Sequence, residues 1–380
     1  FQKDGVLWVV GVGDDRAFSI DKDFFEKSAP SEIWLTNVPE DFAAKLKSFG
    51  VAIKNVEAVE SVEDETVDDI ILLGYEAETL KVASQKLKKH GVFCVIANQP
   101  VEEKVSIDLG RVHYQRWLYT ATTGLEVAEA YKNSLGRNTI KPGGSVLFAG
   151  AGGPIGRMHV QRSIEFQNPP KKIVCTDVSD LRLADLKATY GYQAEERGIE
   201  IIFANPMADK EGYKAVIDSI MAEGGFDDVI VLAPVPPLIE EITGYIANDG
   251  LVNVFAGIKR GTAVKLDFSR IIFGGVRYIG HSGSGLDDMQ MTLDKIQSGE
   301  LNAKRTVAAV GSLHYGKDGL QAVKEAKYPG KVLIFNHIKE FPVTPLEDFE
   351  VKLPTVAALF KDGEWTNEAE KEFLKLMLAD

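Results

Sequence analysis

Glycines are concentrated in the segment AGAGGPIGRMH, residues 149–159, directly after the apolar run SVLF at 145–148. A glycine-rich turn between a strand and a helix lets backbone N–H groups approach a pyrophosphate, and the dipole of the helix favours its negative charge. The residues predicted to bind phosphate are Gly150, Gly152, Gly153, Pro154, Ile155 and Gly156. The spacing is G-x-G-x-x-x-G from Gly150, or the strict G-x-G-x-x-G if Ala151 takes the first position. Such a loop alone does not identify a ligand.

A carboxylate downstream strengthens the prediction. The next apolar run, KKIVCTD, ends at Asp177, about 20 residues after the loop, where dinucleotide-binding folds place an acid. An acid there accepts hydrogen bonds from ribose hydroxyls and repels a 2′-phosphate, which predicts NAD rather than NADP. The alternative, that Asp177 caps the following helix, stays open. Arg182 either stacks over the adenine or is solvated.

A similar loop near the start of the chain, VVGVGDDRAF at 9–18, lacks this chemistry. When the loops are aligned with Val6 on Val146, Asp14, Asp15 and Arg16 replace the proline, isoleucine and last glycine. Carboxylates repel a pyrophosphate, and an arginine side chain blocks close packing of helix on strand. Asn37 takes the place of the acid. The sequence therefore predicts that only the second loop binds a dinucleotide.

Apolar runs that resemble strands alternate with amphipathic stretches along the whole chain, a pattern typical of α/β proteins with a parallel sheet. A single shift of the chain places DDIILL at 68–73 on DDVIVL at 227–232, and IDLGR at 107–111 on LDFSR at 266–270. Unrelated α/β units share a strand order, but not an irregular D-x-x-R segment. We therefore predict two tandem Rossmann-like, doubly wound parallel sheets. The predicted domains are 1–130, degenerate and without dinucleotide, 131–338, which binds NAD, and 339–380, a C-terminal extension.

Composition restricts the class of protein. A net charge of −13 argues against a nucleic-acid surface, and no apolar run approaches the roughly 20 residues of a membrane span. Cys94 and Cys175 each lie in an apolar run, which predicts buried, inert thiols, and two cysteines are too few for a four-cysteine zinc site. We expect a cytoplasmic protein. Because the chain opens with Phe1, we also expect a native segment before it.

Several blocks resemble the medium-chain dehydrogenase/reductase superfamily: KPGGSVLFAGAGGPIGRMHVQ, VIVLAPVPPLIEE, GLVNVFAGI, YIGHSGSGLDDMQMTLDKIQSGEL and PGKVLIF. The resemblance covers roughly 139–348 and is greatest to its sugar-phosphate and polyol-phosphate branch, which includes L-sorbose-1-phosphate reductase. It implies hydride transfer between nicotinamide and a hydroxyl or carbonyl carbon, often with a catalytic zinc. It also implies that the nicotinamide half lies at strand ends formed by Ala233, Pro234, Ala256, Gly257, Ser282 and Gly283.

The chain departs from that family where the zinc would be bound. In the family, a GroES-like domain with the zinc ligands precedes the coenzyme domain. Here a Rossmann-like copy at 1–130, the first copy, takes its place before the second copy at 131–338. The six histidines are scattered, so we predict no metal site in this chain, and zinc only if a segment outside it supplies the ligands. The catalytic residues are not identified, and His281 is the histidine with the best claim to a role.

Two functions remain open at this point. The first is an NAD-dependent oxidoreductase for a sugar phosphate or polyol, with its catalytic portion upstream or on a partner, and with homo-oligomers allowed. The second is a catalytically silent NAD-binding module for assembly or sensing. For the fold we further expect residues 115–121 and 276–282 to pair edge to edge, forming an internal pseudo-dimer with one continuous sheet. The alternative that stays open is that the two domains pack by their helices, with each edge strand used between chains. We also expect a C-terminal helix capped by Thr366.

Overall fold

The computed structural model describes residues 1–101, 103–134, 137, 139–280 and 282–378. His281, the histidine with the best claim to a role, lies outside these residues. The strands are β1 Val6–Gly11, β2 Glu32–Thr36, β3 Ala52–Asn55, β4 Val67–Leu73, β5 Leu87–Ile96, β6 Val105–Asp108, β7 Leu118–Thr122, β8 Ser145–Ala149, β9 Lys172–Thr176, β10 Glu200–Ala204, β11 Phe226–Val231, β12 Ile246–Val254, β13 Ala263–Leu266, β14 Arg277–Gly280, β15 Val307–Ser312, β16 Lys331–Phe335 and β17 Thr344–Pro345.

The helices are α1 Lys22–Lys27, α2 Glu40–Lys47, α3 Ala77–Ser84, α4 Leu109–Gln115, α5 Val127–Ser134, α6 Pro154–Glu165, α7 Asp180–Glu196, α8 Lys210–Ala222, α9 Pro236–Ile242, α10 Ser269–Ile272, α11 Leu286–Gln297, α12 Gly316–Lys324, α13 Phe349–Lys352, α14 Pro354–Ala357 and α15 Asn367–Met377.

The strands form two parallel sheets of six, flanked by helices. The first has the order β3-β2-β1-β4-β5-β7 and the second β10-β9-β8-β11-β12-β14. Each sheet therefore follows the 3-2-1-4-5-6 order of the doubly wound dinucleotide-binding fold. The central strands are apolar almost throughout because helices cover both faces of such a sheet. The predicted fold class is confirmed.

Irregular features recur in both sheets at positions that match when DDIILL is placed on DDVIVL. The register between β4 and β5 shifts at Val67/Asp69, and that between β11 and β12 shifts at Phe226/Asp228. A left-handed residue follows in each case, with a φ of 66° at His90. The corresponding φ is 56° at Asp249. Bulges and left-handed residues of this kind do not follow from strand order alone. A common origin of the two copies stays a prediction, which these features favour.

Paired aspartates fix the first strand of each copy in the same way. The backbone N–H of Val6 donates to Asp68 Oδ2 at 2.8 Å. That of Ser145 donates to Asp227 Oδ2 at 2.9 Å. Val6 is thus equivalent to Ser145, and the alignment that places it on Val146 is wrong by one position. The glycines of the first loop therefore match the first two of the second loop, and Asp14 takes the place of the third.

The chain packs as two compact units. The first contains Phe1–Ala149, Pro170–Val174 and Lys210–Gly283, and the second contains Gly150–Pro169, Cys175–Asp209 and Ser284–Asp380. The repeat-based boundaries at 130 and 338 stay predictions, since packing units and repeats need not coincide.

The predicted continuous sheet is wrong. β7 ends the first sheet and β14 ends the second, and no strand pairing joins these edges in the described part of the chain. Instead β6 and β13 form an antiparallel ladder, with Ile107 opposite Val264. Tyr119 of β7 meets the Phe268 ring, with the ring centroids 5.4 Å apart. The segment before each edge strand therefore joins the two copies within the first unit.

The C-terminal part of the second unit has a sheet of its own, with the order β16-β15-β17. Its core is mostly aromatic and includes Phe335, Phe349, Trp365 and Phe373. The predicted cap is confirmed, because the Thr366 side chain accepts a hydrogen bond from the first turn of α15. The C-terminal helix α15 therefore packs on this small sheet through Phe373.

Candidate dinucleotide-binding site

The glycine loop begins with a turn directly after β8. Gly150 has a φ of 97°, which is accessible to glycine and strained for other residues. The N–H groups of Gly150 and Ala151 both donate to Thr176 O, at 2.9 and 2.8 Å. These two bonds fix the start of the loop at the end of β9, beside Asp177.

Asp177 holds the next part of the loop. Its Oδ2 accepts from the Gly152 N–H at 3.0 Å, and its Oδ1 accepts from the Ser179 N–H, also at 3.0 Å. The alternative that Asp177 caps α7 is wrong, because Ser179 is the capping residue. A Cβ on Gly152 would lie 2.8 Å from Asp177 Oδ2 and 2.7 Å from Arg182 Cβ. Only glycine allows this approach of the loop to the carboxylate.

The helix that follows presents an uncapped N-terminus. Gly153 is the capping residue of α6 and supplies no side-chain acceptor, and Pro154 is the first helical residue. A Cβ on Gly156 would lie 2.4 Å from Ala151 O, so the helix packs on the loop backbone. A Cβ on Gly153 would meet no atom within 4 Å. The loop is therefore tightly packed on its inner side and open at the helix terminus, where an anion is stabilised.

Exposed apolar side chains flank Asp177. Val178 is 70% exposed and Leu181 is 81% exposed. Asn205 fixes this segment, since its Nδ2 donates to Val178 O at 3.1 Å and to Asp180 Oδ1 at 2.8 Å. Sequence reasoning missed these residues, because exposure of apolar side chains is visible only in the fold.

In the first unit, the residues predicted for the nicotinamide half follow the ends of three strands. Ala233 and Pro234 follow β11, Ala256 and Gly257 follow β12, and Ser282 and Gly283 come after β14. Tyr114 Oη lies 3.6 Å from the position of a Gly257 Cβ and is the one described atom within 4 Å of it outside the adjoining residues. Sequence reasoning missed Tyr114 as well, because it belongs to the other copy.

The first loop is occupied by its own side chains. Arg16 Nε donates to both carboxylate oxygens of Asp14, at 3.0 and 2.9 Å, and Asp14 is 5% exposed. The Arg16 guanidinium also donates to Ile96 O and Thr123 O at 3.4 Å. An ion pair therefore fills the space at the strand ends of the first copy.

The remaining titratable candidates have structural surroundings. Cys94 and Cys175 are free, fully buried thiols, as predicted, and burial raises the pKa of each. His159 Nδ1 lies 2.9 Å from Ile155 O within α6, and burial lowers the pKa of this histidine. Among the described residues, no three His, Cys, Asp or Glu side chains converge as a metal site requires. No helix in the same part of the chain is long and apolar enough to cross a membrane.

Comparison with known proteins adds relatives by sequence, although no family model matches the chain. The chain is 28% identical to mannitol-1-phosphate 5-dehydrogenase of Aliivibrio fischeri over 58% of this chain and 51% of that protein. It is 27% identical to L-sorbose 1-phosphate reductase of Klebsiella pneumoniae over 62% of this chain and 56% of that protein. It is 29% identical to the uncharacterized protein YggP of Escherichia coli over 64% of this chain and 58% of that protein. The chain thus spans little more than half of each relative.

Similar solved structures include zinc-dependent alcohol dehydrogenase 2 from Streptococcus pneumonia, with 21% identity, a TM-score of 0.42 and coverage of 53% of this chain and 54% of that one. L-idonate 5-dehydrogenase from Escherichia coli has 19% identity, a TM-score of 0.40 and coverage of 51% and 50%. The sequence relatives confirm the resemblance read from the blocks. The chain is thus similar in sequence to a mannitol-1-phosphate dehydrogenase and to an L-sorbose 1-phosphate reductase over about 60% of its length.

Proposed function

We propose that this chain is the NAD-binding portion of an oxidoreductase that transfers hydride between nicotinamide and a hydroxyl or carbonyl carbon of a sugar phosphate or polyol. The observation that carries the proposal is the buried Asp177 carboxylate, bound to Gly152 beside the uncapped N-terminus of α6. The sequence relatives, two of which are named for a polyol phosphate and a sugar phosphate, support the substrate class.

The described residues fit the adenosine half of the cofactor. Each Asp177 oxygen accepts one backbone N–H and keeps capacity for a ribose hydroxyl. The N–H groups of Gly153, Ile155 and Gly156 are donors for the pyrophosphate, whereas Pro154 has none to give. Val178 and Leu181 offer apolar surface to the adenine. The stem of Arg182 lies against Gly152, so its side chain borders the same ribose.

Small residues fit the nicotinamide half, because a flat ring needs close access to backbone. We assign Ala233, Pro234, Ala256, Gly257, Ser282 and Gly283 to it. Bound NAD would supply the hydride acceptor, and these residues would orient the ring and exclude water from one face. The described residues do not fit a catalytic zinc, so no step is assigned to one within this chain. We propose that the substrate-binding and proton-transferring groups lie upstream or on a partner.

The alternative is a catalytically silent NAD-binding module. It is favoured by the lack, among the described residues, of a convergent ligand set of the kind that would polarise a substrate oxygen. Both hypotheses predict the same NAD site, but only the oxidoreductase is expected to turn over a substrate.

Titration of the natural full-length protein with NADH and NADPH, followed by nucleotide fluorescence, tests the shared part. We expect one NADH per chain and weaker NADPH. Turnover assays then separate the enzyme from the silent module. NADH absorbance should rise with mannitol 1-phosphate and NAD, or fall with L-sorbose 1-phosphate and NADH, if the protein is an enzyme. Turnover with either supports the enzyme, and tight NADH binding without turnover on a panel of polyol and sugar phosphates supports the module. Lack of NADH binding would overturn both.

A further inference from the structure

The first copy places one aromatic side chain at a strand end of the second. We propose that Tyr114, on α4 of the first copy, binds the nicotinamide half of the cofactor over Gly257. The inference rests on the proposed function. It assigns a role to a copy whose own loop is occupied by an ion pair.

A buried histidine attaches α4 to the end of β12. His113 is 5% exposed, and its Nδ1 lies 2.8 Å from Val254 O, the last residue of that strand. The His113 ring also contacts the Tyr114 ring edge to face, with centroids 4.5 Å apart and planes at 82°. The histidine therefore fixes both the helix and the orientation of the tyrosine beside it.

Two glycines bring the backbones of the copies into direct contact. A Cβ on Gly110 of α4 would lie 2.3 Å from Lys259 O, just beyond Gly257 in the chain. A Cβ on Gly280, the last residue of β14, would lie 2.2 Å from Val112 O. Backbone contacts as close as these allow no sliding of the helix. α4 is therefore held rigidly over the ends of β12 and β14.

This placement leaves Tyr114 at the position where doubly wound sheets bind ligands. Such ligands lie outside the carboxyl ends of the strands, and Tyr114 Oη is 3.6 Å from the Cβ position of Gly257 after β12. The side chain is 42% exposed, so a ligand can reach it. Its hydroxyl is suited to donate to the carboxamide oxygen of nicotinamide and so to set the ring orientation.

The second copy offers a matched control. When IDLGR is placed on LDFSR, Phe273 falls on Tyr114 and takes the equivalent place after α10. It is 49% exposed, but it has no hydroxyl. It lines a cavity of about 340 Å³ together with Thr122 and Asn248, and none of the residues assigned to the cofactor lines this cavity. Its truncation removes a similar exposed aromatic surface without touching the proposed site.

The test compares dissociation constants for NADH and for ADP-ribose, which lacks nicotinamide. It uses the wild type, Tyr114→Phe, Tyr114→Ala and Phe273→Ala. Loss of one net hydrogen bond in Tyr114→Phe should weaken NADH about three- to tenfold, and Tyr114→Ala more. Affinity for ADP-ribose should be unchanged in both, and Phe273→Ala should change neither ligand. Thermal unfolding of each variant shows that it is folded.

Two results would overturn the assignment. If the Tyr114 variants weaken NADH and ADP-ribose equally, the effect is structural and the phenol does not contact nicotinamide. If NADH affinity is unchanged in both variants, the residue has no role in binding. Failure of the proposed function is distinct, since the wild type would then bind neither ligand.

Discussion

Two glycines of the loop, Gly153 and Gly156, should respond in opposite ways to the addition of one methyl group. At Gly153 the new Cβ meets no atom within 4 Å, and the residue has extended backbone with a φ of −74°. At Gly156 the Cβ would lie 2.4 Å from Ala151 O and 2.6 Å from its carbonyl carbon and Cα. We predict that Gly153→Ala impairs dinucleotide binding with little loss of stability. Gly156→Ala should lower stability first.

The magnitudes follow from these distances. The Gly156 methyl overlaps backbone that cannot rotate away, and such overpacking costs about 1–3 kcal/mol. Replacing a helical glycine returns up to about 1 kcal/mol of propensity, which leaves a net loss of about 0–3 kcal/mol. Three backbone atoms within 2.6 Å place Gly156→Ala in the upper part of this range. Gly153→Ala loses only the small preference for glycine over alanine at an N-cap, about 0.5 kcal/mol. Its methyl stands at the helix terminus, where the pyrophosphate should lie, and a loss of about 1.4 kcal/mol in binding is tenfold in affinity.

Urea unfolding gives the free energy of each variant, and titration with NADH gives its affinity. The expected pattern is a stable Gly153→Ala protein that binds at least about tenfold more weakly, and a destabilised Gly156→Ala protein. Wild-type NADH affinity in Gly153→Ala would refute the position assigned to the pyrophosphate. Wild-type stability in Gly156→Ala would refute the packing of α6 on the loop.

Two further outcomes are expected from the same region. Asp177→Ala should weaken NAD binding and reduce the preference for NAD over NADP. The buried Gly152 N–H would lose its acceptor, so stability should fall by about 1–3 kcal/mol. An unchanged ratio of NAD to NADP dissociation constants would contradict the ribose contact. Burial lowers the pKa of His159, so its contribution to stability is complete above the unfolded-state value of about 6.5 and is lost as the pH falls below it. His159→Gln should flatten that part of the pH–stability curve in urea unfolding, and an identical slope in the variant would contradict the assignment.

Many of the strands and helices could be predicted, because each depends on residues close together in the sequence. Apolar runs such as DDIILL and DDVIVL are long enough and separated regularly enough to define parallel strands. The edge pairing of the two copies could not be predicted. Among the described residues, β7 and β14 lie close to each other without pairing, and the β6–β13 ladder supplies the strand pairing between the copies. Composition and periodicity do not distinguish this arrangement from direct pairing of β7 and β14, because the apolar runs define the strands and not the partners with which their edges pair.

The candidate site also contains residues that the sequence could identify and residues that it could not. Gly152 and Asp177 could be predicted, since the short loop brings them together in any fold of this class. The exact alignment of the two loops could not be predicted, because glycines and valines repeat at short intervals. The aspartate hydrogen bonds to Val6 and Ser145 fix it, and the strand registers agree. Tyr114 could not be predicted, because its position at Gly257 is set by long-range contacts of α4.

The occupied first loop leads to a last prediction, that restoring its glycine pattern will not restore a cofactor site. With Val6 matched to Ser145, Asp14→Gly, Asp15→Pro, Arg16→Ile and Ala17→Gly together would recreate the glycine pattern of the second loop, with Val12 in place of Ala151. The phosphate-binding helix would still be missing, since α1 begins only at Lys22 and Asp21 already caps it by accepting the Phe24 N–H at 2.7 Å. The acid would be missing as well, because Asn37 donates to Gly11 O at 3.1 Å. Calorimetric titration of the fourfold variant should therefore give the same number of NADH molecules per chain as the wild type. One additional site would show that the loop sequence, and not the helix and acid behind it, is what separates the two copies.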